Sequence, residues 1–168
     1  GVNLSDFLDI YYNTMNRNNA QNYYYFSKKY FEELNHKLKG NYAYFHVFFN
    51  DKMISTELVL YSDLYVYSFL GGTLSDYYDY RPNDFLKYEI IKWCHETKKE
   101  YFVLGGGYEE NDGIYQYKRN FSPLKSANFF IGKKIHNFEV YNHLVKIRSQ
   151  EETFDPSTNY FPAYRSHC

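Results

Sequence analysis

Residues 101–122 read YFVLGGGYEENDGIYQYKRNFS, and this stretch frames the rest of the chain. The short apolar run Tyr101–Leu104 predicts a strand that Gly105, Gly106 and Gly107 end. An acidic loop follows, and Asp112 is placed to cap a helix carrying Tyr117, Lys118 and Phe121. Three consecutive glycines let backbone N–H groups approach a ligand, and a lysine on the next helix sets a positive charge over the same opening. A glycine-rich turn before a helix-end lysine gives the same string with no ligand at all. The neighbouring segments bear on the choice.

Upstream, Pro82 and Asn83 start a helix to about Lys99, with Leu86, Ile90, Trp93 and Thr97 on one face and Lys87, Lys92 and Glu96 on the other. Before it lie three expected strands, Tyr42–Phe49, Ile54–Tyr61 and Tyr65–Leu70, joined by short polar turns and therefore antiparallel. Gly71, Gly72 and Thr73 then lead into a tyrosine-rich loop. A strand, a crossover helix and a strand favour parallel pairing of the last two. Both alternating faces of the first strand are apolar, so helices should cover the sheet on both sides. Two helices open the chain: Leu4–Asn18, with Leu4, Leu8, Tyr11 and Met15 in one stripe, and a second from the N-cap Ser27 to near Lys39, stapled by Phe26 and Phe31. Downstream, Ala127–His136 is expected to be a strand. Asn137 should cap a helix to about Arg148 with Phe138, Tyr141, Leu144 and Val145 inward. From Gln150 the chain, with Pro156 and Pro162, loses periodicity. The expected organisation is one domain over residues 1–150 and a tail over 151–168.

With 168 residues the chain is long enough for a real core, and its 22 Tyr and 15 Phe must supply much of it. A formal net charge of -1 argues against whole-surface affinity for nucleic acid or acidic membranes, leaving a local patch open. No apolar run of about 18 residues and no signal-peptide pattern is present, which gives a cytoplasmic expectation without an integral membrane segment. Cys94 and Cys168 lack metal-ligand spacing and are expected to be reduced and inert; no metal cluster is expected. Cys94 and His95 diverge on one helix, so they make no nucleophilic pair. His46 reads as a core or boundary histidine. Glu57, in mid-strand, reads as a general base or as a carboxylate on a solvated edge or beside a lysine. Arg17 follows a helix and has either a phosphate or a salt bridge as its partner. Between Asp112 and Glu139 there is no carboxylate, while Lys118, Arg119, Lys125, Lys133 and Lys134 fall there. That segment suits a phosphate-bearing donor or a solvated charged face.

The motifs IYYNTMNRNNA, YYYFSKKYFEEL, FLGGT, LKYEIIKW, FVLGGG, IYQYKRNFS and YNHL resemble the C-terminal GNAT-like domain of Fem-type aminoacyltransferases, the peptidoglycan bridge-forming enzymes also known as methicillin-resistance factors. The likeness runs from about Phe7 to Leu144. It implies an α/β (α+β) GNAT-like fold: a mixed, mostly antiparallel sheet flanked by helices on both faces, with parallel pairing around the crossover helix. The implied activity is transfer of an aminoacyl or acyl group to an amine, in cell-envelope synthesis. In that family a lysine after an aromatic residue stabilises the transition state, which assigns the role to Lys118 beside Tyr117, with Glu57 as the candidate proton acceptor. Gly105, Gly106, Gly107, Arg119 and Arg17 are the candidate donor-binding residues. The acetyl-CoA enzymes of the superfamily carry an Arg/Gln-x-x-Gly-x-Gly/Ala loop where this chain has SDYYDYRPND, which leaves aminoacyl-tRNA as the family-implied donor ahead of acyl-CoA. No tightly bound cofactor is implied. The chain opens in the first helix without the preceding strand, so the resemblance also implies a second GNAT-like domain upstream. The alternatives are a CoA-dependent N-acetyltransferase and a non-catalytic GNAT-like module.

Overall fold

Asn3 starts helix α1 (Leu4–Arg17): its side chain accepts the Asp6 N–H, and the Asp6 carboxylate accepts the Asn3 N–H, a reciprocal capping box. The computed structural model describes residues 3–107, 111–122, 126–151, 154–155 and 157–166. Lys125, Pro156 and Cys168, singled out above, lie outside them. Helix α2 (Lys28–Lys37) begins at Ser27, whose hydroxyl accepts the Tyr30 N–H, and Phe26 meets Phe31 edge-on across the cap at 6.4 Å. It stops short of Lys39, and Gly40 follows in the left-handed region at φ +86°.

Strands β1 (Tyr42–Phe49) and β2 (Lys52–Tyr61) form an antiparallel hairpin. Its two-residue turn, Asn50-Asp51, has φ of +48° and +62°. Asn and Asp tolerate this conformation, and its twist matches that of the strands. Strand β3 (Tyr65–Thr73) pairs antiparallel with β2 and runs three residues beyond the expected end at Leu70. The cause is helix packing. A Cβ on Gly72 would sit 2.5 Å from Thr14 Oγ1 and 2.8 Å from the Ile10 carbonyl, so glycine lets α1 settle onto the strand backbone. The Thr14 hydroxyl then accepts the Thr73 N–H at 3.1 Å. Helix α3 (Pro82–Glu96) crosses over to β4 (Tyr101–Val103), which pairs parallel with β3, and α4 (Gly113–Arg119) follows from the Asp112 cap. The sheet order is β1-β2-β3-β4.

Helices cover both faces. On one, the buried aromatics Phe7, Tyr11 and Phe31 pack on Leu58. Tyr11 is fully buried, but its hydroxyl donates to the Tyr24 carbonyl at 2.5 Å, which satisfies the phenol, and burial pushes its pKa up to about 12. On the other face, Leu86, Ile90 and Cys94 of α3 pack on Val59 and Val66. Lys87, expected on the solvated face of α3, is buried there instead at 5 % exposure. It stands three and seven residues before Ile90 and Cys94, on their stripe.

The chain divides into two compact units, residues 1–123 and 124–168, whereas the expected single domain ran to residue 150. The second contains helix α5 (Phe138–Arg148), capped by Asn137, and a 3-10 turn, Ala163–Arg165. Tyr141 joins them, packing on Phe161 and Tyr164 while its hydroxyl accepts the Ala163 N–H. The strand expected over 127–136 is not formed. Phe129 and Phe130 are 88 % and 83 % exposed, and no ladder among the described residues takes in this run. Its apolar residues are consecutive and lack the alternation that would give a strand one buried face. Phe138, expected inward, is likewise exposed, whereas Tyr141, Leu144 and Val145 are partly covered.

Candidate functional site

Within the first unit, the last turn of α1, the glycine end of β3 and the N-termini of α3 and α4 enclose a cleft of about 520 Å³. Each wall has a local cause. Thr14 and Gly72 lock α1 to β3, which brings Arg17 to the opening. The Arg17 guanidinium donates to the Thr73 carbonyl at 3.0 Å and lies 5.3 Å from the centre of the Tyr78 ring. Arg81, at the N-cap of α3, has φ +49° and ψ +48°, an uncommon left-handed position for a non-glycine residue. Pro82 then fixes the first helical residue. On the opposite wall the Asp112 carboxylate accepts the Tyr115 N–H at 2.7 Å and starts α4, whose Tyr117 and Lys118 both line the cleft.

Tyr117 clamps α4 to α3. Its hydroxyl accepts from the Asn83 side-chain amide at 2.8 Å. Burial, reinforced by Asp84, holds its pKa well above the ordinary phenol range, so the hydroxyl stays protonated. Lys118 Nζ donates to the Gly106 carbonyl at 2.6 Å. Its pKa is lowered, first by burial and then by the like charge of Lys87, with Glu57 and Asp112 opposing. Below lies a tight ion pair: Lys87 Nζ is 2.6 Å from both Glu57 carboxylate oxygens and 2.9 Å from Ser68 Oγ, which itself donates to Glu57. All three ammonium N–H groups are thereby used.

Of the residues proposed from sequence, Lys118, Tyr117 and Arg17 meet at one cleft. Glu57 sits beneath it at 4 % exposure, so the lysine partner holds and the solvated edge does not. Gly105, Gly106 and Gly107 are not among the residues lining the cleft. Gly106 contributes its carbonyl to Lys118, and Gly105 adopts φ +72° beside that ammonium. A Cβ on Gly107 would fall 2.1 Å from Asp112 Oδ1, so this glycine makes room for the α4 cap. The acidic residues that follow, 108–110, lie outside the described residues. Arg119 is exposed and away from the cleft lining. Sequence reasoning missed Arg81, Asp84 and Lys87. For Lys87 a signal existed, its place on the Ile90 and Cys94 stripe; for Arg81 and Asp84 none did. Cys94 is buried with its thiol pKa raised by burial, and His46 is half-buried against Thr56 at 2.8 Å with its pKa lowered by burial. Among the described residues no cluster suited to a metal ion occurs, and no helix is long and apolar enough to cross a membrane.

The start of α3 has few amides left for an anion. Pro82 has no N–H, and the amides of Asp84 and Phe85 donate to the Arg81 carbonyl at 3.1 and 3.3 Å. The Asp84 carboxylate occupies the first turn. A pyrophosphate cradle needs several free amides at such a terminus, and most of these are spent.

A comparison with curated proteins found no match. A family model described as Acetyltransferase (GNAT) domain matches residues 3–119, more than two thirds of the chain. The match takes in α1 through α4 and so every wall of the cleft. A mixed sheet of three antiparallel strands and one parallel strand, crossed by α3 and matched over this span, makes the chain a member of the GNAT acetyltransferase domain family.

Proposed function

We propose that the cleft carries out acyl transfer to an amine, in the manner of the Fem-type enzymes, with aminoacyl-tRNA as donor and a cell-envelope amine as acceptor. The observation that carries this reading is the convergence of Arg17, Arg81 and Lys118 on a single opening, with Lys118 tethered to Gly106 and half-buried. Attack of an amine on an ester carbonyl builds negative charge on the carbonyl oxygen. A preorganised cation aimed there in a partly desolvated site stabilises that charge, and Lys118 is the residue for it. Tyr117 holds its helix in place. Arg17 and Arg81, nearer the mouth, suit the phosphates of the donor. Arg119, on the exposed side of α4, and the Gly105–Gly107 backbone are assigned to donor approach.

Acyl-CoA is the donor that GNAT domains use, and the family match favours it as a second reading. Against it stands the start of α3, most of whose first-turn amides are spent and whose Asp84 repels a pyrophosphate. The two donors separate in one experiment. Label is followed from alanyl-tRNA or from acetyl-CoA to L-lysinamide, alongside the melting temperature of the full chain with saturating acetyl-CoA. Transfer from alanyl-tRNA with an unmoved melting temperature is expected. A ligand at about 100 times its Kd stabilises by about 2.7 kcal/mol, which for a chain of this size raises the melting temperature by roughly 5–10 °C. That rise, with transfer from acetyl-CoA, would replace the tRNA reading; transfer from neither donor would remove the enzymatic one.

A further inference from the structure

We propose that Asp84 is the general base of this site, taking the proton from the attacking amine. The inference rests on the acyl-transfer reading of the cleft and adds the group that reading lacks. Glu57 was the carboxylate singled out by its place in mid-strand. Its two oxygens, however, each accept from Lys87 at 2.6 Å, and one also accepts from Ser68. At 4 % exposure beneath the cleft, with three of its roughly four acceptor directions taken, it lacks the access to receive a proton from substrate. Among the described residues lining the cleft, Asp84 is the one carboxylate.

Its setting fits the role. A carboxylate offers about four acceptor directions, and Asp84 lines the cleft partly exposed, within reach of a substrate amine. The Tyr117 hydroxyl is kept protonated by burial, so it does not compete for the substrate proton. Tyr117 accepts from Asn83, the residue before Asp84, and itself precedes Lys118, so one hydrogen bond joins the helix that carries the carboxylate to the helix that carries the ammonium, and both side chains line one cleft. In the proposed reaction the acyl carbon lies in that cleft. The amine lone pair forms the N–C bond while the carbonyl π pair moves to the oxygen facing Lys118. The proton leaves nitrogen for Asp84. Collapse of the intermediate breaks the bond to the leaving oxygen, and Asp84 returns the proton to that alkoxide, so the carboxylate is regenerated and nothing is oxidised or reduced.

The test uses the full chain, alanyl-tRNA and acetyl-CoA as donor probes, and L-lysinamide as acceptor. Asp84→Asn keeps the shape, so its melting curve should match that of the unsubstituted chain while kcat falls about 100-fold, the usual range for a lost general base. Asp84→Ala should lose a similar factor, and added formate, fitting the vacated space, should restore its rate in a saturable way. A purely structural role for Asp84 would show no such rescue. A kcat for Asp84→Asn within about threefold of the active parent, or no response of Asp84→Ala to formate, would overturn the assignment and leave acyl transfer standing. A parent chain that transfers from neither probe would bring down the acyl-transfer reading and Asp84's role together. Should Asp84→Ala fail to fold, Asp84→Asn alone decides.

Discussion

The floor of the cleft and its wall each hold a lysine, and the two are bonded in opposite ways. Lys87, in the floor, is buried and spends every N–H on Glu57 and Ser68. Lys118, in the wall, is half-buried and, among the described residues, is tethered by one backbone carbonyl. A saturated buried ion pair holds three elements, β2, β3 and α3, in register and has little left for a ligand. A singly tethered ammonium facing a cleft keeps donors for one. Burial alone therefore does not identify the working cation; the count of hydrogen bonds already made does.

The sharpest way to break this contrast is to remove each lysine in turn. Lys87→Ala leaves Glu57 buried without its cation, and such a loss costs about 3–5 kcal/mol, read as a lower urea midpoint. Replacing the pair together, Lys87→Met with Glu57→Leu, should be neutral or stabilising, because it removes the desolvation cost along with the attraction. If the single variant unfolds no more easily than the parent, the floor pair is not structural. Lys118→Ala should do the reverse, lowering kcat by roughly 10²–10³, or about 2.7–4 kcal/mol of transition-state stabilisation, with a urea midpoint close to the parent's. An unchanged rate would remove Lys118 from the chemistry. Smaller again is Gly72→Ala. Its added Cβ meets the Ile10 carbonyl, which cannot swing away, so a cost of about 1–3 kcal/mol is expected, together with a weaker hold on phosphate-bearing donors as α1 and Arg17 lift from β3.

Much of this frame was legible in the sequence, because period and punctuation are local. The three-strand meander, the crossover helix after Pro82, the parallel β4 and the Asp112 and Ser27 caps follow from alternation, helical stripes and capping chemistry. Lys118, Tyr117 and Arg17, singled out through the motifs that hold them, line one cleft. What was not legible depends on distance. Asp84 reads as an ordinary first-turn acid until the fold sets it in one cleft with Tyr117 and Lys118 of α4. Glu57 read as a candidate base because a mid-strand carboxylate is unusual, and only the fold reveals that Lys87 neutralises it from the next layer. The run over 127–136 failed for the converse reason: it is apolar enough for a strand, but strands need a neighbour, and composition does not supply one.

The smallest expected effect separates the two lysines by their response to pH. Lys118 has a lowered pKa in the folded chain, so between that value and the ordinary lysine value the unfolded state binds more protons. Stability then rises with pH through this window, since folding favours the neutral amine. Activity must run the other way, because an ammonium that stabilises an oxyanion is lost as pH climbs through the same pKa, giving kcat an alkaline limb below the ordinary lysine range. Tyr11 complicates the raw stability curve: its pKa, raised to about 12, favours the neutral phenol when folded and makes stability fall between its unfolded and folded values. The difference between the parent chain and Lys118→Met cancels that contribution. Subtracting one unfolding profile from the other should leave a small rise toward high pH, matched in position by the fall in kcat. If the two do not coincide, the group that sets the rate is not the group that burial has tuned, and the wall lysine loses its distinction from the floor.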